Sequence, residues 1–326
     1  MNGRVLRIAY IAPRWDYGDR TRGLSFEETN FRSALEGMGH NVMPFDFIER
    51  TSVVGAEQMN VELTRFIGES EPDIAVFVLF KDEIAIETIQ RITASGICTY
   101  NWFADDHWRF ENFSRHYAPA FSLISTTDRD AVAKYRSLGV QHVVLTQWAC
   151  NRYLYDRRDV PLRYDVTFVG QRYGDRPKVF NALRRSGLDV RCWGYGWDDG
   201  RLTLDEMVDV FNASRININL GAAWAGRLWR RRRTVSQIKA RPFEVAGSGG
   251  FVLADRAPHI EEYFDPECEI SLFRDDGDLI ARAHEWLERE DERAAVARRG
   301  YERVRAEHTY DHRFVEIFKE AELVGG

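Results

Sequence analysis

The sequence predicts an α/β protein made of two tandem units, each a mostly parallel sheet with helices on both faces. Three observations carry this. Short apolar runs alternate with amphipathic helical stretches along nearly the whole chain. The alternation pauses once, at the polar segment "NRYLYDRRDVPLRY" (151–164), and then restarts. The length, 326 residues, exceeds one ordinary core and suits two domains of roughly 150 residues each.

The elements follow in order. "VLRIAYIA" is a buried strand and "PRWDYGDRTRG" a loop. A helix then opens on Ser25, with Glu28 completing a capping box. Its apolar face is Phe31, Ala34, Leu35 and Met38, and Gly39 stops it. The strand "HNVMPFDF" comes next, followed by a helix with Met59, Leu63, Phe66 and Ile67 on one side. The strand "DIAVFVLF", a helix over Glu83–Ala94 and the strand "ICTYNWF" continue the pattern. "AFSLIST" and "HVVLT" are further strands, separated by a helix from Asp128 to Leu138. After the pause come the strand "DVTFVG", a helix over 175–187 and the strand "VRCWG". A helix boxed by Thr203 and Glu206 leads to "ININ". The helix "IKARPFEVA" and the strands "FVLAD" and "EISLF" follow. Helices over 277–290, 291–306 and 311–323 end the chain. The domains expected are thus 1–155, 156–310 and a terminal helix, 311–326, returning to the first.

Composition narrows the function. Hydrophobic residues make up 44%, enough for cores, and the formal net charge of −6 draws neither nucleic acid nor anionic membrane. Cys98, Cys150, Cys192 and Cys268 stand far apart with no C-x-x-C, which argues against zinc or a disulfide framework and for a cytoplasmic protein. No stretch reaches the roughly 20 apolar residues of a membrane span.

"QIKARPFEVAGSGGFVLAD" (237–255) draws the eye to its glycines. A phosphate-binding glycine loop follows a strand and opens a helix. Here the order is helix, glycines, strand, so Gly247 to Gly250 read as a helix stop and tight turn. The anion-attracting end is the other one. Gln237, Lys239 and Arg241 open the helix, where dipole and charge act together, and Glu244 lies one turn in. The alternative is that Lys239 and Arg241 are solvated surface charges. The first unit has its own cluster at a strand end, "NWFADDHW", with Asp105, Asp106 and His107. One of these is a candidate base or acceptor contact, and a helix cap is the plain alternative. The loop 13–23 brings Asp16, Asp19, Arg20 and Arg22 to the same edge, with Gly18 and Gly23 allowing movement.

From "DVTFVGQRYGDR" through "VRCWGYGW", "FNASRININL" and "KARPFEVAGSGGFVLADRAPHIEEYFDPECEISLFRDDGDL" to "YERVRAEHTYDHR", the chain resembles the second half of a GT-B glycosyltransferase. Within the group 1 superfamily it is similar to the spore-maturation (CgeB-like) branch. The resemblance covers roughly 165–313, and in the first half rests on "NWFADDHW". It implies two Rossmann-like domains facing across a cleft. It implies transfer of a sugar from a nucleoside-diphosphate sugar to an unknown hydroxyl, on a glycan, lipid-linked glycan or small molecule. The expected reaction is metal-independent and retaining, with no cofactor beyond the donor and no nucleic-acid partner. Glu244 matches the ribose-binding glutamate, and Lys239 and Arg241 fall where the phosphates lie. Gly170 and Arg172 match a glycine and basic pair near the phosphates. Tyr195 and Trp197 are candidate base contacts, or else core. Asp16 lies in the loop that approaches substrate. Arg227, followed by Arg230–Arg233, could neutralise the leaving diphosphate or be a solvated basic loop. Peripheral membrane contact of that run is a narrower reading. A second glutamate common in the wider family is replaced by Ser236, which leaves the donor sugar and the anomeric outcome open. A sugar-nucleotide epimerase of the same fold and a non-catalytic sugar or nucleotide binding module are the alternatives.

Overall fold

The computed structural model describes residues 4–224 and 234–324. Arg227 and Arg230–Arg233 lie outside the described residues. The chain divides into two compact units, one of residues 1–147 with 310–326 and one of residues 148–309. The boundary therefore falls before, not within, the polar pause. The reason is packing: Cys150 and Tyr155 are buried in the second unit's core beside Phe211, Phe243 and Val304.

The first unit is a six-stranded sheet in the order β2-β1-β3-β4-β5-β6. Its strands are β1 (Arg7–Ile11), β2 (Asn41–Phe45), β3 (Ile74–Phe77), β4 (Cys98–Phe103), β5 (Leu123–Thr126) and β6 (Val143–Leu145). Every pairing is parallel. β3 and β5 are buried at every residue, as a sheet covered on both faces requires. The last helix, Tyr310–Glu320, belongs to this unit and packs Tyr310 and Phe314 against Phe31 and Trp102.

The second unit has a five-stranded sheet, order β13-β12-β9-β7-β8. Its strands are β7 (Tyr164–Val169), β8 (Val190–Trp193), β9 (Ser214–Asn219), β12 (Val252–Asp255) and β13 (Ser271–Phe273), again all parallel. A small antiparallel pair, β10 (Ala222–Trp224) with β11 (Thr234–Ser236), stands apart from it. In each unit the chain reverses its direction of travel beside the first strand. The second unit's reversal lies between β7 and β9, so their carboxyl ends form the crevice where such sheets take ligands.

Local signals explain the ends of the elements. Thr203 and Glu206 form a complete capping box. Ser25 accepts from the Glu28 N–H at 3.0 Å, but the Glu28 carboxylate turns to Arg32, so that box is half-made. The helix it opens is a π-turn over Glu28–Arg32 before it becomes regular. The helix Ala240–Gly247 ends in a Schellman motif. The Gly249 N–H donates to Ala246 (2.8 Å) and the Gly250 N–H to Val245 (3.0 Å), with Gly249 at φ +84°. The glycine amides are thus spent on the helix's own carbonyls.

One glycine is required for a closer reason. Gly194 sits at φ +131°, and a β-carbon there would collide with the Gly170 carbonyl. Gly194→Ala is expected to cost at least about 2 kcal/mol, because no flexible side chain can give way. The midpoint of urea unfolding measures it, and an unchanged midpoint would refute the collision.

Candidate functional site

The second unit gathers most of the expected donor residues at the carboxyl edge of its sheet. Gly170 follows β7 and donates its N–H to Trp193 at 2.8 Å. Its carbonyl accepts the indole N–H of Trp197 at 2.9 Å. The Trp197 ring packs on Phe168 and Phe180, which braces this turn. Tyr195 in the same turn is 58% exposed. The Arg172 N–H bonds the Tyr195 carbonyl at 2.9 Å, and its guanidinium lies 5.7 Å from the Trp197 ring centre.

Arg176, which sequence reasoning passed over, holds the central place. It opens the helix after β7, with Pro177 beside it in the first turn. Its guanidinium donates to the Gln171 carbonyl at 2.9 Å and the Leu220 carbonyl at 2.8 Å. It therefore bridges the chain leaving β7 to the chain leaving β9. Its face lies 4.1 Å from the Tyr173 ring centre. No carboxylate pairs with it among the described residues. Burial pulls its pKa below the usual arginine value, partly offset by Tyr173 and Asp255, while Arg241 adds to the lowering. A guanidinium has five N–H donors, and two carbonyls leave donors over for an anion. Beside it, Asp255 at the end of β12 accepts from the Gly221 N–H (2.7 Å) and from Asn219 (3.3 Å). This fixes the turn out of β9.

The helix Ala240–Gly247 begins at Lys239, which is extended and half-buried at its N-terminus. Arg241 and Glu244 do not stand open. Glu244 is 2% exposed, and one of its oxygens is 2.6 Å from Arg241 while the other accepts from the Tyr155 hydroxyl at 3.0 Å. Arg241 also lies 5.2 Å from the Phe211 ring centre. The expected phosphate and ribose contacts are here joined in one buried ion pair. Ser236 donates to the Arg256 carbonyl at 3.4 Å.

The first unit's candidates separate into two groups. Asp106 is 1% exposed and accepts from the Tyr135 hydroxyl at 2.8 Å. Burial raises its pKa to about 6. The Tyr135 hydroxyl thus ties it into the core of this unit. Asp105 precedes the helix Asp106–Arg109, half-buried, and its side chain does not cap it. His107 lies half-buried in that first turn. Asp16 pairs with Arg22 at 2.9 Å. The loop carrying it is tied, not open: Asp16 N–H bonds Gly23, Trp15 bridges Leu24, and Gly18 abuts Ile48.

Within electrostatic reach of Asp16 and Asp105 lies a residue that no sequence motif marked. Glu27 is 7% exposed, and no basic side chain pairs with it among the described residues. Burial raises its pKa to about 7, helped by the charges of Asp16 and Asp105 and opposed by its own backbone N–H and Ser25. Among the described residues no group of three or more His, Cys, Asp or Glu side chains is arranged to hold a metal ion. No described helix is long and apolar enough to cross a membrane.

Residues 176–319 match a family model described as glycosyl transferase-like. No curated protein matches the sequence. Among solved structures, the chain is similar to sucrose-phosphate synthase from Thermosynechococcus elongatus. The TM-score is 0.66 at 9% identity, covering 96% of this chain and 98% of that one. It is similar to a glycosyltransferase from Rickettsia africae, with TM-score 0.64 at 9% identity over 97% and 98% of the two chains. It is also similar to HepE of Anabaena, solved in complex with UDP-glucose, with TM-score 0.62 at 10% identity over 97% and 100%. At this identity the likeness is one of fold: two parallel α/β units of the GT-B type.

Proposed function

We propose that this chain, glycosyl transferase-like in residues 176–319 and GT-B in fold, is a glycosyltransferase using a nucleoside-diphosphate sugar. The observation that carries the reading is Arg176. A half-buried cation without a carboxylate partner among the described residues spans the crevice where sheets of this order take ligands. The departing diphosphate is the charge such a group stabilises. Arg172 on the neighbouring turn and Lys239 at a helix N-terminus add to it. These cations supply the neutralisation that a metal-independent transfer needs. Retention of configuration is carried by the resemblance alone. Glu27, within reach of the charges of Asp16 and Asp105, is the first unit's best-tuned proton acceptor for an acceptor hydroxyl. The first donor to try is UDP-glucose, because it is bound in the HepE structure.

Calorimetry with UDP, TDP and GDP sugars tests the reading, together with nucleoside-diphosphate release on turnover. Arg176→Ala is expected to weaken binding of the preferred nucleotide by about 10- to 100-fold, the usual range for a charge-assisted contact. If no nucleotide sugar binds, or if Arg176→Ala binds as well as the parent, the reading fails. A donor converted without any acceptor would indicate epimerisation instead.

A further inference from the structure

The second unit has a second cationic place, at the opposite edge of its sheet. A cavity of about 160 Å³ opens where the chain enters β7, β9 and β12, beside Leu162, Ser214 and Phe251. Four arginines line it, Arg157, Arg215, Arg293 and Arg298, against the single carboxylate of Glu290. Their partners are unevenly shared. Arg215 is balanced by Asp165 at 3.1 Å. Arg157 and Arg298 are exposed, and neither side chain makes a hydrogen bond or ion pair among the described residues. The Arg157 stem lies across Gly249, whose β-carbon position would be 3.0 Å from it.

Arg293 is the telling member. It is 4% exposed and donates to the Trp286 carbonyl at 2.6 Å, with no carboxylate in ion-pair range among the described residues. Burial and the nearby charge of Arg215 lower its pKa, and Glu290 and Asp165 oppose that. Leaving a buried cation unpaired is costly unless an anion reaches it. The long helix Glu290–Glu307 begins here, so its positive dipole end faces the same place. The glycines Gly249 and Gly250 line the cavity without donating to it, since their N–H groups close the preceding helix. Recognition therefore falls to guanidinium groups, which suit phosphate oxygens. Phe251 and Tyr301 supply apolar wall for a small carbon skeleton.

We propose that this cavity binds a small multivalent anion of the phosphate class, separately from the donor residues. The helix Ala240–Gly247 runs from Lys239 at the donor edge to Gly249 at this one, so the two sites share a rigid element.

Calorimetric titration of inorganic diphosphate into the full chain tests it, with and without saturating UDP. Diphosphate is expected to bind with UDP present. Arg157→Ala combined with Arg298→Ala is expected to weaken that binding at least about 10-fold. Both side chains are exposed and make no ion pair among the described residues, so the variant's unfolding equilibrium should shift by no more than about 2-fold, or about 0.5 kcal/mol. Absence of binding in both conditions overturns the proposal. So does binding that UDP abolishes, or binding that the double substitution leaves intact. UDP affinity, measured alone, reports on the donor reading and fails or stands independently.

Discussion

Arg241→Ala is expected to destabilise the second unit by about 3 kcal/mol, at the lower end of the range for breaking a buried pair. Its partner Glu244 is 2% exposed and would keep only the Tyr155 hydroxyl. A carboxylate stranded in that core, among Tyr155, Phe211 and Phe243, loses its counter-ion at high cost. The arginine is itself about one-quarter exposed, with 26% of its side chain accessible, which keeps the loss below the upper end. Replacing both residues with leucine should restore much of the stability, because it removes the stranded charge along with its partner. Urea unfolding of Arg241→Leu, Glu244→Leu and the double leucine variant closes the cycle. If Arg241→Ala unfolds at the parental midpoint, the pair is not structural. The result also governs how nucleotide binding is measured. A Glu244 variant that loses UDP has told nothing until its folded fraction is known.

That pair shows where the sequence is legible and where it is not. The strands could be placed because apolar runs between turn signals leave few alternatives. "VRCWG" and "FVLAD" are such runs, and they became β8 and β12. The Schellman ending at Gly249 and Gly250 was readable from element order alone. Side-chain partnership was not. Lys239, Arg241 and Glu244 share one turn, and only the packing of Phe211 and Tyr155 decides that Arg241 turns inward to Glu244. Arg176 was missed because "GDRPK" looks like any polar helix start. Its role depends on the Leu220 carbonyl, 44 residues away. The helix Phe47–Val54 escaped notice because "HNVMPFDF" ran the strand past its end, and Asp46 caps it instead. Glu27 did leave a trace. It stands four residues before Phe31, on the apolar face of its helix, where a carboxylate has no surface reason to be.

Glu27→Gln is expected to make the first unit more stable than the parent, by a margin that grows with pH. The glutamate has a folded pKa of about 7 against an ordinary value of 4.5, and burial is the main cause. A raised folded value means the native state holds a proton that the unfolded chain releases. The stabilisation is complete below about pH 4.5 and is lost as pH climbs through 7. At roughly 1.4 kcal/mol per pKa unit, the loss approaches about 3.5 kcal/mol above pH 8. Glutamine keeps the shape and cannot ionise, so its variant escapes the loss. Asp106, with its value raised to about 6, shifts both proteins equally and cancels in the comparison. Unfolding free energies of the two proteins should therefore converge near pH 4, separate between 5 and 7, and run parallel above 8. Parallel curves throughout would show that the carboxyl is solvated or paired after all. The same substitution bears on function. If Glu27 accepts the proton of an acceptor hydroxyl, the glutamine variant should bind donor normally and turn over slowly. The parent's rate should rise with an apparent pKa near 7, the value that burial beside Asp16 and Asp105 imposes.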